Sequence, residues 1–209
     1  MRRPLAIVDY GVGNLRSAQK AFEHVGQPAE VTSDAARIAA APAVVLPWQG
    51  AFGTCMANLH AAGLVAPVLA AVGSGRPFLG ICVGMQLLFE ESEESPGVRG
   101  LGVFAGRVVR FPRDAERKVP HMGWNQLQIA RPVAALAGIA DGAYVYFVHS
   151  YYAVPADPGV VATTTSYGVE FVSSVTRDNV YAGVFHPEKS QQVGLTLLEN
   201  FARQIGPAG

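Results

Sequence analysis

In the first half of the chain, short unbroken apolar runs predict strands over residues 4–9, 30–32, 43–47 and 77–81. The stretches between them predict helices over residues 14–25, 52–72 and 85–91. Short apolar strands alternating with helices are the mark of right-handed βαβ units around a parallel sheet. The second half changes character. Strands over residues 108–111, 124–129, 144–148, 160–164, 171–175 and 180–185 follow one another closely, with turn residues between them. That pattern predicts an antiparallel layer added to one edge of the parallel sheet. A final helix is expected to start at Ser190 as N-cap, to line up Gly194, Leu197, Leu198, Phe201 and Ile205 on one stripe, and to stop at Gly206-Pro207. No internal repeat or low-complexity linker interrupts the pattern, so residues 1–209 are expected to form a single α/β domain.

Composition narrows the function. Half of the 209 residues are hydrophobic, which suffices for a sizeable core and excludes a disordered chain. The 16 basic and 16 acidic residues balance, which argues against nucleic acid or an anionic membrane as the main partner but leaves a small anionic substrate open. Charged residues make up 15% of the chain, below the roughly 25% of an average globular domain, a faint hint of a covered surface. The apolar run after Met1-Arg2-Arg3 is too short for a signal peptide. The longest apolar stretch, residues 61–73, is broken by Pro67 and falls short of the ~20 residues a spanning helix needs. Two cysteines, Cys55 and Cys82, cannot build a disulfide framework, and neither has enough neighbouring ligands for a metal site. The expectation is a cytoplasmic protein with reduced thiols, no metal and no cofactor.

The chemistry concentrates at Gly80-Ile81-Cys82-Val83-Gly84-Met85-Gln86. This segment lies where the strand over 77–81 must turn into a helix. Flanking glycines permit a tight, strained turn and close backbone approach, the geometry of a nucleophile elbow with cysteine in place of serine. Cys55 has no such flank and is expected to be structural. A nucleophile needs a base, and the base an orienting partner. Of His24, His60, His121, His149 and His186, the first two lie in helical patterns and are expected at the surface. His186 ends the strand over 180–185 and is followed by Pro187-Glu188. Residues two apart in an extended segment point to one side, so Glu188 can hold one imidazole nitrogen while the other faces the thiol.

Taken together, Gly80-Ile81-Cys82-Val83-Gly84-Met85-Gln86 and Phe185-His186-Pro187-Glu188 resemble the class I, triad-type glutamine amidotransferases. Within that family, residues 7–17, Pro120-His121-Met122-Gly123-Trp124-Asn125, Phe147-Val148-His149-Ser150-Tyr151 and Lys189-Ser190 resemble the glutaminase subunits of imidazole glycerol phosphate synthases. The resemblance implies a flavodoxin-like, open, mostly parallel sheet with flanking helices and an added antiparallel layer. It implies Cys82 as nucleophile, His186 as general base and acid, and Glu188 as its partner. Val83 and Gly50 would supply oxyanion donors, and Gln86, Glu94, Ser150 and Tyr151 would hold glutamine. The acidic run 90–94 also reads simply as a solvated helix end. The implied partner is a (β/α)8-barrel cyclase that receives the ammonia for histidine biosynthesis, docked on Asn14, Met122, Trp124, Tyr146 and Lys189.

One segment departs from the family pattern. Where family members read Pro-Gly-x-Gly after the third strand, this chain has Pro47-Trp48-Gln49-Gly50. A tryptophan restricts the backbone and adds bulk where a peptide must turn its N–H toward the oxyanion. A weakly active or purely regulatory glutaminase-like module is therefore a second expectation, with the intact Cys82, His186 and Glu188 against it. A peptidase on the same fold is a third, disfavoured by Gln86 and the N-terminal segment.

Overall fold

The computed structural model describes residues 3–11, 13, 15–47, 50–112 and 118–206. The first half forms β1 (Leu5–Val8), α1 (Leu15–His24), β2 (Ala29–Thr32), α2 (Ala35–Ala40), β3 (Val44–Leu46), α3 (Phe52–Ala61), α4 (Val65–Gly73), β4 (Phe78–Ile81) and the single helical turn α5 (Val83–Gln86). The second half forms β5 (Glu91–Ser92), β6 (Gly106–Arg110), β7 (His121–Gln126), β8 (Gln128–Ile129), β9 (Tyr144–His149), β10 (Tyr151–Pro155), β11 (Val161–Ser166), β12 (Glu170–Arg177), β13 (Val180–Gly183) and α6 (Gln191–Arg203).

The main sheet runs β2-β1-β3-β4-β13-β12-β10-β6-β5. Its first five strands are parallel, and β1, β3, β4 and β13 are buried throughout, which explains why they read as unbroken apolar runs. Strands β12, β10 and β6 continue the same sheet antiparallel, so much of the expected added layer is an extension in plane rather than a second tier. Right-handed crossovers send α1 to one face and α2, α3 and α4 to the other, because the strand order reverses at β1. On the first face α1 meets α6, with the rings of Phe22 and Phe201 6.0 Å apart. Both phenylalanines are fully buried, each contributing about 1.5–3 kcal/mol of hydrophobic stabilisation.

Several sequence-based boundaries change. The strand over 180–185 is not antiparallel to its whole surroundings: β13 lies parallel to β4, with Gly183 paired to Ile81, and antiparallel to β12. The segment 124–129 is two strands in two sheets. Here β7 pairs β9, β8 pairs β11, and buried Leu127 between them redirects the chain. The helix over 52–72 breaks at residues 62–64, and its halves, α3 and α4, stand at 97°. The helix over 85–91 is only the turn Val83–Gln86. A helix went unpredicted at Ala35–Ala40, although Asp34 caps it by accepting from the N–H groups of Ala36 and Arg37. Among the described residues no single helix is long and apolar enough to cross a membrane.

Candidate active site

In an open parallel sheet the carboxyl ends of the strands face the crevice where ligands bind. Cys82 follows β4 there, and His186 follows the neighbouring β13 by three residues. The main-chain N–H of Cys82 donates to the carbonyl of Gly183 at 2.8 Å, which clamps the two strand ends together. Gly50 follows β3 on the other side of β4. The strand carrying the cysteine is thus flanked by those leading to the histidine and to the oxyanion candidate.

The turn after β4 is strained at the cysteine itself. Cys82 has φ 51 and ψ −113, a region L-residues avoid, and its flanking glycines do not take positive φ. The glycines provide space instead. A Cβ on Gly84 would stand 2.1 Å from the carbonyl oxygen of Leu46, so only glycine lets the turn pack under the end of β3. A Cβ on Gly80 would meet Ala182 at 3.0 Å. The first helical N–H engaged in this turn is that of Met85, to the Cys82 carbonyl, so Val83 and Gly84 precede the intrahelical bonds.

Both expected companions of Cys82 are in place. The His186 imidazole interacts with the Cys82 thiol, and its Nδ1 lies 3.0 Å from Oε1 of Glu188. The side chains of His186 and Glu188 are each 2% exposed. Burial alone would lower the imidazole pKa; the interactions with Cys82 and Glu188 outweigh it and raise the group to about 9. The turn Pro187–Lys189 replaces a purely extended segment, yet it still lets Glu188 fold back onto the ring. Ser190 does not cap α6 with its side chain. Its hydroxyl donates to the His186 carbonyl at 2.6 Å and accepts the Tyr146 N–H at 2.9 Å.

The other candidates fall around this centre. Gln86 is buried and donates from Nε2 to the Tyr151 carbonyl at 3.0 Å. The Ser150 carbonyl accepts from the N–H of Phe111 at 3.1 Å. Glu94 is not a free solvated charge: its Oε2 accepts the N–H of Phe52 at 2.7 Å, at the start of α3. The position of a Cβ on Gly50 is 3.5 Å from Cys55 Sγ, so its nearest neighbour is the second cysteine. Burial pushes the Cys55 thiol up to about 11, only partly offset by its hydrogen bond to Tyr10, which keeps it protonated at neutral pH. Tyr10 in turn donates to the Pro47 carbonyl at 2.9 Å. Sequence reasoning missed this support, and it also missed Val148, whose carbonyl lies 4.0 Å from Cys82 Sγ. Neither carries a signal beyond the segment it stands in. His24 and His60 are exposed, as expected. Trp48 and Asn14 lie outside the described residues.

Of the expected docking residues, Met122, Trp124, Tyr146 and Lys189 lie together. The register pairs Met122 with Val148, Trp124 with Tyr146 and Gln126 with Tyr144 across β7 and β9. Met122, Trp124 and Tyr144 are 62%, 45% and 54% exposed, three of the five exposed large hydrophobics among the described residues. Trp124 and Tyr146 meet edge to face at 5.9 Å, and the Lys189 ammonium stands 5.8 Å over the Tyr146 ring. Tyr144 was not predicted, although two-residue alternation along the strand places it beside Tyr146.

A family model for class-I glutamine amidotransferases matches residues 6–205, and the chain belongs to that family. Two solved structures share the fold. A glutamine amidotransferase crystal structure, 21% identical, superposes with TM-score 0.74 over 97% of this chain and 100% of its own. PurLQS from Thermotoga maritima, 18% identical, reaches 0.72 over 98% of each. Among curated relatives, the imidazole glycerol phosphate synthase subunit HisH of Syntrophotalea carbinolica is 58% identical over 94% of this chain and 98% of its own length. The HisH subunits of Geobacter metallireducens and Deinococcus radiodurans are 56% and 52% identical, covering 95% and 97% of this chain and 97% and 94% of theirs. Within the class, the chain belongs to the HisH subunits of imidazole glycerol phosphate synthase.

Proposed function

We propose that this chain is the glutaminase of an imidazole glycerol phosphate synthase in histidine biosynthesis, hydrolysing glutamine at Cys82 with His186 and Glu188 and passing the ammonia to a cyclase subunit. The observation that carries the reading is the continuous chain from Cys82 to His186 to Glu188, with the cysteine held on a strained turn at a strand end.

The chemistry balances with these three residues. The sulfur of Cys82 attacks the side-chain carboxamide carbon, and the proton shared by Cys82 and His186 is left on the imidazole. A group whose pKa stands near 9 holds that proton at neutral pH and delivers it to the departing nitrogen, releasing ammonia and leaving a thioester. The imidazole then takes a proton from water as hydroxide attacks the thioester, and glutamate leaves as the thiol is restored. Glu188 orients the ring and stabilises its charged form. Val83 N–H, ahead of the intrahelical bonds, and Gly50 are the candidates for the oxyanion. Gln86 and Glu94, with the backbone at Ser150 and Tyr151, are the candidates for the amino-acid end of glutamine.

Ammonia released into water becomes ammonium and loses its nucleophilicity, so a transferring glutaminase gains from a partner sealed over its product. The apolar face of Met122, Trp124, Tyr144 and Tyr146, with Lys189 beside it, supports docking of a (β/α)8-barrel cyclase there. The deciding experiment measures ammonia release from glutamine by the chain alone and with its cognate cyclase, together with labelling of Cys82 by a glutamine-analogue alkylating agent. Activity that appears mainly in the complex, and labelling that Cys82→Ser abolishes, are expected; a chain that neither turns over nor labels would be a regulatory module.

A further inference from the structure

Two histidines outside the triad are buried where imidazoles are costly. His121 on β7 and His149 on β9 face each other across the inner side of the docking sheet, Nδ1 to Nε2 at 3.3 Å. Aromatic rings surround them: Tyr167 and Phe147 stack on His121 at 4.0 and 4.8 Å, and Phe111 and Phe171 lie 5.2 Å from His149. Phenylalanine would suit such surroundings at no desolvation cost, so the retained polarity needs a use. Burial holds both rings neutral, lowering His121 to about 4 and His149 to about 3.

Hydrogen bonding then fixes every proton. The Tyr151 carbonyl can only accept, so His149 Nδ1, 2.8 Å away, carries the hydrogen and its Nε2 is an acceptor. His121 must therefore donate from Nδ1, leaving its Nε2 to accept from Asn125 Nδ2 at 3.3 Å. Asn125 cannot be flipped, because its Oδ1 takes the N–H of Gln126 at 2.8 Å and its Nδ2 also donates to Ser166 O at 2.9 Å. One directed chain runs from Asn125 through both histidines to the Tyr151 carbonyl. That carbonyl is the acceptor that also holds Gln86 Nε2 at 3.0 Å.

We propose that His149, held in its tautomer by His121, is a positioning residue for glutamine binding, fixing the Tyr151 carbonyl and through it the side-chain amide of Gln86. The proposal rests on the reading of Gln86 and Tyr151 as the glutamine site. Neither histidine transfers a proton in the reaction.

Two measurements on the full chain with its cognate cyclase test it. Ring 15N resonances of the unsubstituted protein should show His121 and His149 as the Nδ1–H tautomer, the minor form of free imidazole; Nε2–H at either ring overturns the proposal. In kinetics, His149→Gln keeps an acceptor near Nε2 but loses the donor to Tyr151, whereas His149→Asn keeps a donor near Nδ1. His149→Gln should raise the KM for glutamine about two- to tenfold, the value of one hydrogen bond, with kcat within a factor of about two. His149→Asn should recover most of that rise. An unchanged KM in His149→Gln, or equal losses of kcat in both variants at constant KM, would make the pair merely structural. Should the site reading itself be wrong, Gln86→Ala would leave the KM for glutamine unchanged while the tautomers stayed as stated.

Discussion

The N–H of His186 donates to the carbonyl of Tyr146 at 2.9 Å, joining the imidazole-bearing segment to β9, whose Tyr146 ring meets Trp124 of β7. Ser190 doubles the link by bridging the His186 carbonyl and the Tyr146 N–H. The exposed sheet is thus tied to the histidine by one main-chain hydrogen bond and by the Ser190 side-chain bridge. Ser190→Ala leaves the partly buried Tyr146 N–H without this acceptor and is expected to cost about 1 kcal/mol, seen as a lower denaturant midpoint at unchanged slope. Glutamine turnover should fall with it, because the imidazole loses half of its tether. Parental stability in the variant would show that the bridge contributes nothing.

Removing the orienting carboxylate separates two effects of pH. The folded-state pKa of His186 stands at about 9, above the ordinary 6.5, so its stabilising contribution is complete below 6.5 and is lost as pH rises through 9. In Glu188→Gln part of the upward push disappears, and the loss of stability between pH 6.5 and 9 should become shallower than in the parent. Glutamine hydrolysis should fall about 10²-fold or more, the usual worth of a working general base and acid. Denaturant midpoints at pH 6, 7.5 and 9, with ammonia release at each, check both.

His121 and His149 act in the opposite direction. Each is kept neutral in the fold, with pKa lowered to about 4 and about 3, so the unfolded chain binds more protons below pH 6.5. Stability present above pH 6.5 is then lost as pH falls toward 4, with each imidazole adding up to about 1.4 kcal/mol per pH unit. The double variant His121→Phe/His149→Phe should flatten this acid limb in urea titrations between pH 6.5 and 4, even where its stability at pH 7 is lower. An unchanged limb would mean that other groups set the acid sensitivity.

Trp124 is the expected anchor of the docking face. Its indole is 45% exposed and held edge-on by Tyr146, so it is preset for burial without further ordering. Trp124→Ala should weaken cyclase binding by about 2 kcal/mol, roughly 30-fold in Kd, by titration calorimetry. Circular dichroism of the free chain should hardly change, because little packing is lost. Binding at parental affinity would place the interface elsewhere.

Gly194 sits where α6 crosses the turn after His186. A Cβ there would stand 1.8 Å from the Pro187 carbonyl oxygen, a backbone atom that cannot step aside cheaply. Gly194→Ala should therefore cost about 1–3 kcal/mol and lower glutamine turnover, since the turn that moves carries Glu188. Thermal melts and kinetics on one sample test the coupling; a variant that is destabilised but fully active at low temperature would break it.

Much of this was legible in the residues. Buried strands such as β1 and β4 read as apolar runs because both of their faces are covered, and the spacing of Glu188 two residues after His186 foretold their contact. Pairing was not legible: nothing local says that β13 lies parallel to β4 instead of joining only the antiparallel strands, since an apolar run fits either neighbour. Leu127 could not announce that it divides one predicted strand between two sheets, because its burial is supplied by distant elements.

The sequence by itself determined the chemistry on offer: a cysteine between glycines and a histidine with its carboxylate two residues on. Those follow from covalent spacing and from strand and turn geometry, which are local. Only the tertiary structure decided that the strain falls on Cys82 and that the glycines serve close packing. Only it set β13 beside β4 so that thiol and imidazole meet, and turned Ser190 from a helix cap into the tether of His186. These depend on contacts between residues far apart in the chain, where packing and the need to satisfy every buried polar group override local preference.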